Sequence, residues 1–167
     1  MRFFVCNKCL NGKQICDVCE EELKKNSISI EEIEEYRKIY KALRREKHLK
    51  DIEIRRVFSS DRMAIIVCRK QDVPRLIGKN GIIAKKLKKK LGKEIRIVSF
   101  EIDPFRFSKE VLHPSNILGI NVLYTGEGEI YKVKLPSAEK YLMKISPNFF
   151  KLAALHILGK QIELEFE

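Results

Sequence analysis

The 167-residue chain has no tryptophan, three histidines and no run of about 18 apolar residues. The missing apolar run predicts no membrane-spanning helix, and the opening MRFFVCNKC is too short in apolar residues for a signal peptide. A cytoplasmic protein with no membrane partner is expected. His48, His113 and His156 are far apart in the chain. No Ser-His-Asp order and no pair of acids beside a glycine loop stands out, and the phosphate-cradling pattern GxxxxGK(S/T) is absent. The expectation is therefore a protein that is not an enzyme. Acidic residues are nearly missing from one stretch: between 69 and 96 only Asp72 and Glu94 stand against eleven lysines and arginines.

That imbalance carries most of the net charge of +11. Residues 1–68 hold fifteen basic and twelve acidic side chains, and residues 101–167 hold eight and nine. A charge that served solubility alone would be spread more evenly. Concentrated in one segment, it points to a polyanionic partner or an anionic surface. With 44% hydrophobic residues the chain can bury a core, and its length suits one medium domain or two or three small ones.

Four of the five cysteines lie in CNKCLNGKQICDVC, as two CxxC pairs: Cys6 with Cys9, and Cys16 with Cys19. Each pair can turn both sulfurs toward one ion, and Asn11-Gly12 between them lets the chain reverse. Four thiolates in tetrahedral array suit structural zinc and leave no position for a reactive water. An iron–sulfur centre and disulfides are the alternatives, since some hyperthermophile proteins are rich in disulfides. So short a piece buries little apolar surface, so the metal is expected to supply its stability. Cys68, alone inside an apolar strand, reads as a small core residue.

The order of elements is legible next. Ser29 is the expected N-cap of a helix, with Glu32 closing a capping box and Ile28 stapling onto Ile33. Ile33, Tyr36, Tyr40 and Leu43 mark one helical face. DIEIRRVF and RMAIIVC read as strands joined by a hairpin turn at Ser59-Ser60-Asp61. A short helix near 71–77, a glycine loop at 78–81, a helix over 82–91 and the strand EIRIVSF follow. The pattern is α-β-β-α-α-β. It repeats 67 residues on, where LGKEIRI returns as LGKQIEL. The expected division is 1–25, 26–101 and 102–167, with Pro104 opening the first helix of the third piece.

The loop carries the functional expectation. Gly78 and Gly81 leave the backbone bare before a helix whose N–H groups and dipole favour an anion. Lys79 and Asn80 add a cation and an amide donor between them. Ile83, Ala84, Leu87 and Leu91 form a core-facing stripe, with Lys85, Lys86, Lys88, Lys89 and Lys90 around the other side. An apolar floor beneath a phosphate-gripping rim suits unstacked bases. Ile82 falls outside the stripe and is the candidate for that floor.

VPRLIGKNGIIAKKLKKKLGKEIRIV, residues 73–98, resembles the most recognisable stretch of KH domains of type II, as found in the NusA transcription factors. The resemblance covers about residues 30–167 and implies an α+β fold of two tandem KH domains behind a four-cysteine zinc module. It implies single-stranded RNA binding, with single-stranded DNA also open, through Val73, Ile77, Gly78, Lys79, Asn80, Gly81, Ile82, Lys85, Lys86 and Lys89. It further implies work on nascent or ribosomal RNA, in transcription elongation and termination or in ribosome assembly. A zinc-dependent adaptor for RNA polymerase or the ribosome is the alternative. The second copy departs from the pattern: Ile145, Ser146, Pro147 and Asn148 replace the glycine loop. The helix after it is apolar almost all round, which predicts burial and a structural role for that copy.

Overall fold

A computed structural model describes residues 1–25 and 28–167. The domain boundary expected at residue 26 falls outside the described residues. The chain divides into two compact units, Met1–Ser99 and Phe100–Glu167, and the cysteine-rich start belongs to the first. Each unit carries one three-stranded sheet, and eight α-helices are seen among the described residues. No helix among the described residues is long and apolar enough to cross a membrane.

The first unit opens with two short helices, α1 (Asn7–Asn11) and α2 (Asp17–Lys24), each starting one residue after a cysteine. The helix α3 (Ile30–Leu43) begins as its sequence requires: the Ser29 hydroxyl accepts from the Glu32 N–H at 3.1 Å. Ile28 and Ile33 are both buried at that start. The hairpin strands β1 (Ile54–Ser59) and β2 (Met63–Cys68) pair antiparallel, closed by Ser60 N–H donating to the Met63 carbonyl. The helices α4 (Val73–Ile77) and α5 (Ile82–Leu91) follow, and β3 (Glu94–Ser99) returns parallel to β2. In α5 the residues Ile83, Leu87 and Leu91 are buried, with Ala84 packed against the same core. This is the stripe its 3.6-residue spacing demands.

The capping box is only half made. The Glu32 carboxylate does not reach back to its own cap. It accepts from the Tyr36 hydroxyl at 2.7 Å, from Arg56 Nε and Nη2 at 2.9 and 3.1 Å, and from the Val57 N–H at 3.0 Å. A buried carboxylate with four partners is worth more than an exposed cap contact, so the side chain turns inward and joins α3 to β1. Burial, with the Glu32 charge beside it, pushes the Tyr36 hydroxyl far above its ordinary range and keeps it protonated.

The second unit contains α6 (Pro104–Leu112), β4 (Gly119–Thr125), β5 (Gly128–Leu135), α7 (Glu139–Leu142), α8 (Pro147–Leu158) and β6 (Gln161–Phe166). Pro104 opens α6 behind Asp103, whose carboxylate accepts from the Arg106 N–H at 3.0 Å. Again one pair of strands is antiparallel and the other parallel, with the third strand beside the second. Met63 opposes Glu94 in the first sheet, and Ile130 opposes Gln161 in the second, each residue 67 further on. Phe107 and Phe150 meet at 5.6 Å between ring centroids in the core of this unit.

The expected burial of α8 is not observed. Phe150, Ala153 and Ala154 are buried, whereas Leu152 is 57% and Leu155 47% exposed. One stripe of α8 suffices to cover its core, and the extra apolar residues lie on the surface. His156 on the same helix is exposed.

Replacing Glu32 with alanine strips the carboxylate from the Val57 N–H and from a partly exposed Arg56, while the Tyr36 hydroxyl keeps the Arg55 carbonyl at 3.0 Å. Chemical denaturation should show a loss of about 2–4 kcal/mol, the range for breaking a buried hydrogen-bonded ion pair on one side.

Candidate functional sites: the Gly78–Gly81 loop and the four-cysteine cluster

The loop sits on a fixed frame. Asp72, wholly buried, accepts from the Glu53 N–H at 3.0 Å, from Arg69 Nε at 2.8 Å and from Arg75 Nη1 at 3.1 Å. Arg75 also pairs with Asp51 and donates to the His48 carbonyl. The guanidinium of Arg75 holds the Asp51 carboxyl down at about 2. Sheet, α4 and the segment before β1 are thus tied together ahead of the bend.

The bend itself uses three positive φ values: Gly78 at 74°, Asn80 at 53° and Gly81 at 72°. The two glycines are needed for different reasons. Gly78 pairs its positive φ with ψ of 167°, a region open in practice to glycine alone. A Cβ there would also stand 2.7 Å from Ile83 Cγ1 and 3.0 Å from the Ile83 nitrogen. Gly81 lies in the ordinary left-handed region, and a Cβ there would meet nothing within 4 Å. The space beside Gly81 is open, while Gly78 is held by its own fold.

Lys79 and Asn80 are exposed at the tip. Beside them Ile77 is 41% and Ile82 60% exposed, two large apolar side chains flanking a polar bend. Val73 is partly buried against the core, and Leu76 is fully buried, so Leu76 belongs to the core beneath the bend. Lys85, Lys86 and Lys89 are exposed along α5. Lys86 pairs with Glu46 at 2.5 Å, and its hydrogen bond lowers the Glu46 carboxyl below the usual range. No side chain caps the N-terminus of α5. At the equivalent position of the second unit the Ser146 hydroxyl accepts from the Phe149 N–H at 3.2 Å, Pro147 begins the helix and Ile145 is buried.

The fold also gathers residues that the charge count of 69–96 passes over. Lys41, Arg44 and Arg45, at the end of α3, line one groove with Lys86, Lys89 and Lys90 of α5. Their signal was present as the run KALRR. Four glutamates at the start of the same helix hide it in any charge sum. Only the packing of α3 on α5 brings the two basic faces together.

The sulfurs of Cys6, Cys9, Cys16 and Cys19 all lie within 4.8 Å of one another. Cys6 Sγ is 3.6 Å from both Cys9 Sγ and Cys16 Sγ. A tetrahedral cage with metal–sulfur bonds of about 2.3 Å has edges of about 3.8 Å, so the set fits one metal ion. The Cys16 N–H donates to Cys9 Sγ at 3.2 Å, a contact that favours a thiolate. Backbone hydrogen bonding at Cys9 draws the Cys6 thiol down to about 7. Burial pushes the Cys9 thiol up to about 12 and the Cys19 thiol upward too. Buried thiols of this kind ionise readily only against a cation. Arg37, itself buried, donates from Nε to the Cys9 carbonyl at 2.7 Å and from Nη2 to the Gln14 carbonyl at 3.4 Å. It fastens the cysteine loop to α3. Cys68 is fully buried away from this cluster, its thiol raised to about 12 by burial.

No family model and no curated protein matches the chain. A solved structure titled "Crystal structure of APE1850" aligns with a TM-score of 0.55 and 18% identity, over 83% of this chain and 100% of that one. At this identity the likeness shows the fold alone.

The two glycines predict unequal mutants. Gly81→Ala should unfold about 1–2 kcal/mol more easily, the cost of a left-handed alanine. Gly78→Ala should cost clearly more, since strain and the clash with Ile83 add. Thermal melting of the two variants side by side checks the order.

Proposed function

We propose that the chain is a non-enzymatic, NusA-like tandem KH protein that binds single-stranded RNA at its first unit. The observation that carries this reading is the contrast between two equivalent helix starts. In the second unit the start is closed by a serine cap, a proline and a buried isoleucine. In the first it is uncapped, glycine-flanked, open beside Gly81 and ringed by Lys79 and Asn80. A bare backbone at a helix N-terminus takes a phosphate, and a sugar–phosphate strand needs the close approach that glycine allows. Ile77 and Ile82 give an unstacked base an apolar surface beside that grip. The KH reading is further supported by the α-β-β-α-α-β order with one parallel and one antiparallel strand pair, met in both units.

In this reading Gly78, Lys79, Asn80 and Gly81 clamp the backbone. Lys85 and Lys89 neutralise phosphates along α5, and Lys86 does so once it exchanges Glu46 for the ligand. Affinity comes mainly from released counterions, which gives a slope of log K against log salt of roughly −3 for four phosphates. The RNA is nascent or ribosomal, in transcription elongation and termination or in ribosome assembly, as the family resemblance implies. An adaptor role toward RNA polymerase or the ribosome is the second reading, favoured by the exposed Tyr141, Leu142, Leu152 and Leu155 of the second unit.

The four cysteines hold structural zinc in this proposal. Zinc supplies the cation that lets the buried thiols ionise, and it leaves no open coordination position. Arg37 and the Cys16 N–H then orient the loop around it. Purified protein should contain one zinc per chain by elemental analysis. Strong chelation should lower its melting temperature, because Cys9, Leu10 and Cys19 are part of the core of the first unit.

Changing Lys79 and Asn80 together to aspartate should abolish most binding to single-stranded RNA while far-ultraviolet circular dichroism stays unchanged, as both side chains are exposed. Undiminished binding by this variant would refute the loop as the clamp.

A further inference from the structure

The groove between the end of α3 and the second half of α5 is lined by Lys41, Arg44, Arg45, Lys86, Lys89 and Lys90. Of these, Lys86 has an acidic partner, Glu46. Among the described residues, no ion pair or hydrogen bond engages the charged ends of Lys41, Arg44, Arg45, Lys89 or Lys90. One or two cations at a helix C-terminus complement its dipole. Six around one groove repel one another, a cost that a polyanion lying between them removes. The side facing the loop is continuous with it: α5 runs about 15 Å from Gly81 to Leu91 and carries Lys85 and Lys89 along the way.

We infer that this groove is a second phosphate-binding track, which receives the strand after it leaves the Gly78–Gly81 clamp. The inference rests on the RNA-binding reading and deepens it: the ligand is a single strand longer than the clamp alone accommodates. The clamp fixes about four nucleotides, and the groove adds about two or three phosphates without reading bases. Arginine at positions 44 and 45 suits this task, because its planar fork meets phosphate oxygens in pairs. Protein surfaces with acidic patches would also meet these cations, but the continuity with the loop along α5 favours the nucleic acid.

The test compares wild type with the variant K41Q/R44Q/R45Q/K90Q on single-stranded RNA of about five and about fifteen nucleotides, by fluorescence anisotropy across a salt series. The variant should bind the short RNA as wild type does. It should bind the long RNA at least about tenfold more weakly at low salt, with a salt slope shallower by about 2, the loss of some three phosphate contacts. Its melting temperature should be unchanged or higher, since mutual repulsion is relieved. Equal affinity of variant and wild type for the long RNA overturns the inference. So does an equal loss on both lengths, or a fall in melting temperature with binding intact, which would make these cations helix-end counter-charges. A loop variant that binds both RNAs normally would overturn the clamp, and with it the path by which the strand enters the groove. Wild-type protein that ignores both RNAs overturns the two together.

Discussion

The first unit is organised around α3, and α3 is held by a carboxylate that has left the water. Glu32 gains four hydrogen-bond donors in exchange for its hydration, from Tyr36, Arg56 and the backbone of Val57. A buried charge so fully satisfied permits only one position of the helix over the sheet. Five residues further along α3, Arg37 reaches the other way, into the carbonyls of the cysteine loop. The same helix ends by delivering Arg44 and Arg45 to the flank of α5. One helix therefore sets the sheet, the cysteine loop and a basic groove in register. A helix held by apolar contacts alone has more freedom to slide, and each of the three would lose its geometry.

Much of this was legible in the chain before any coordinates. Ser29 announces the start of α3, and the spacing of Ile83, Leu87 and Leu91 fixes the buried side of α5. The offset of 67 residues recovers the matched pairing of β2 with β3 and β5 with β6. These features are local or periodic, and local rules read them. What stayed hidden depended on long-range placement. Glu32 looked like a cap because nothing in its neighbours reveals Arg56, 24 residues away. The basic end of α3 looked ordinary because its partner surface lies some forty residues on. For α8, an apolar composition suggested burial all round. A helix laid on a small three-stranded sheet covers only one stripe, so Leu152 and Leu155 remain outside.

The two units share a topology and divide the chemistry unequally. The first carries the glycine bend, the cysteine cluster and nearly all the surplus charge, while residues 101–167 are close to neutral with eight basic and nine acidic side chains. Where the first leaves a helix start open, the second closes it with Ser146. The repeat thus preserves what packing requires and discards what an anion would require. A motif search that treats both copies alike would miss that only one retains the bare backbone.

The two glycines of the bend also answer to different masters. Ile83 crowds Gly78 from within, so the fold itself forbids any side chain there. Around Gly81 the molecule leaves room, so only its left-handed backbone and whatever approaches from outside resist replacement. Under neutral drift, position 81 would diversify first, with asparagine the easiest arrival, while position 78 stayed fixed until the whole turn was rebuilt. The order in which the pair erodes would then tell a relaxed surface from a remodelled bend.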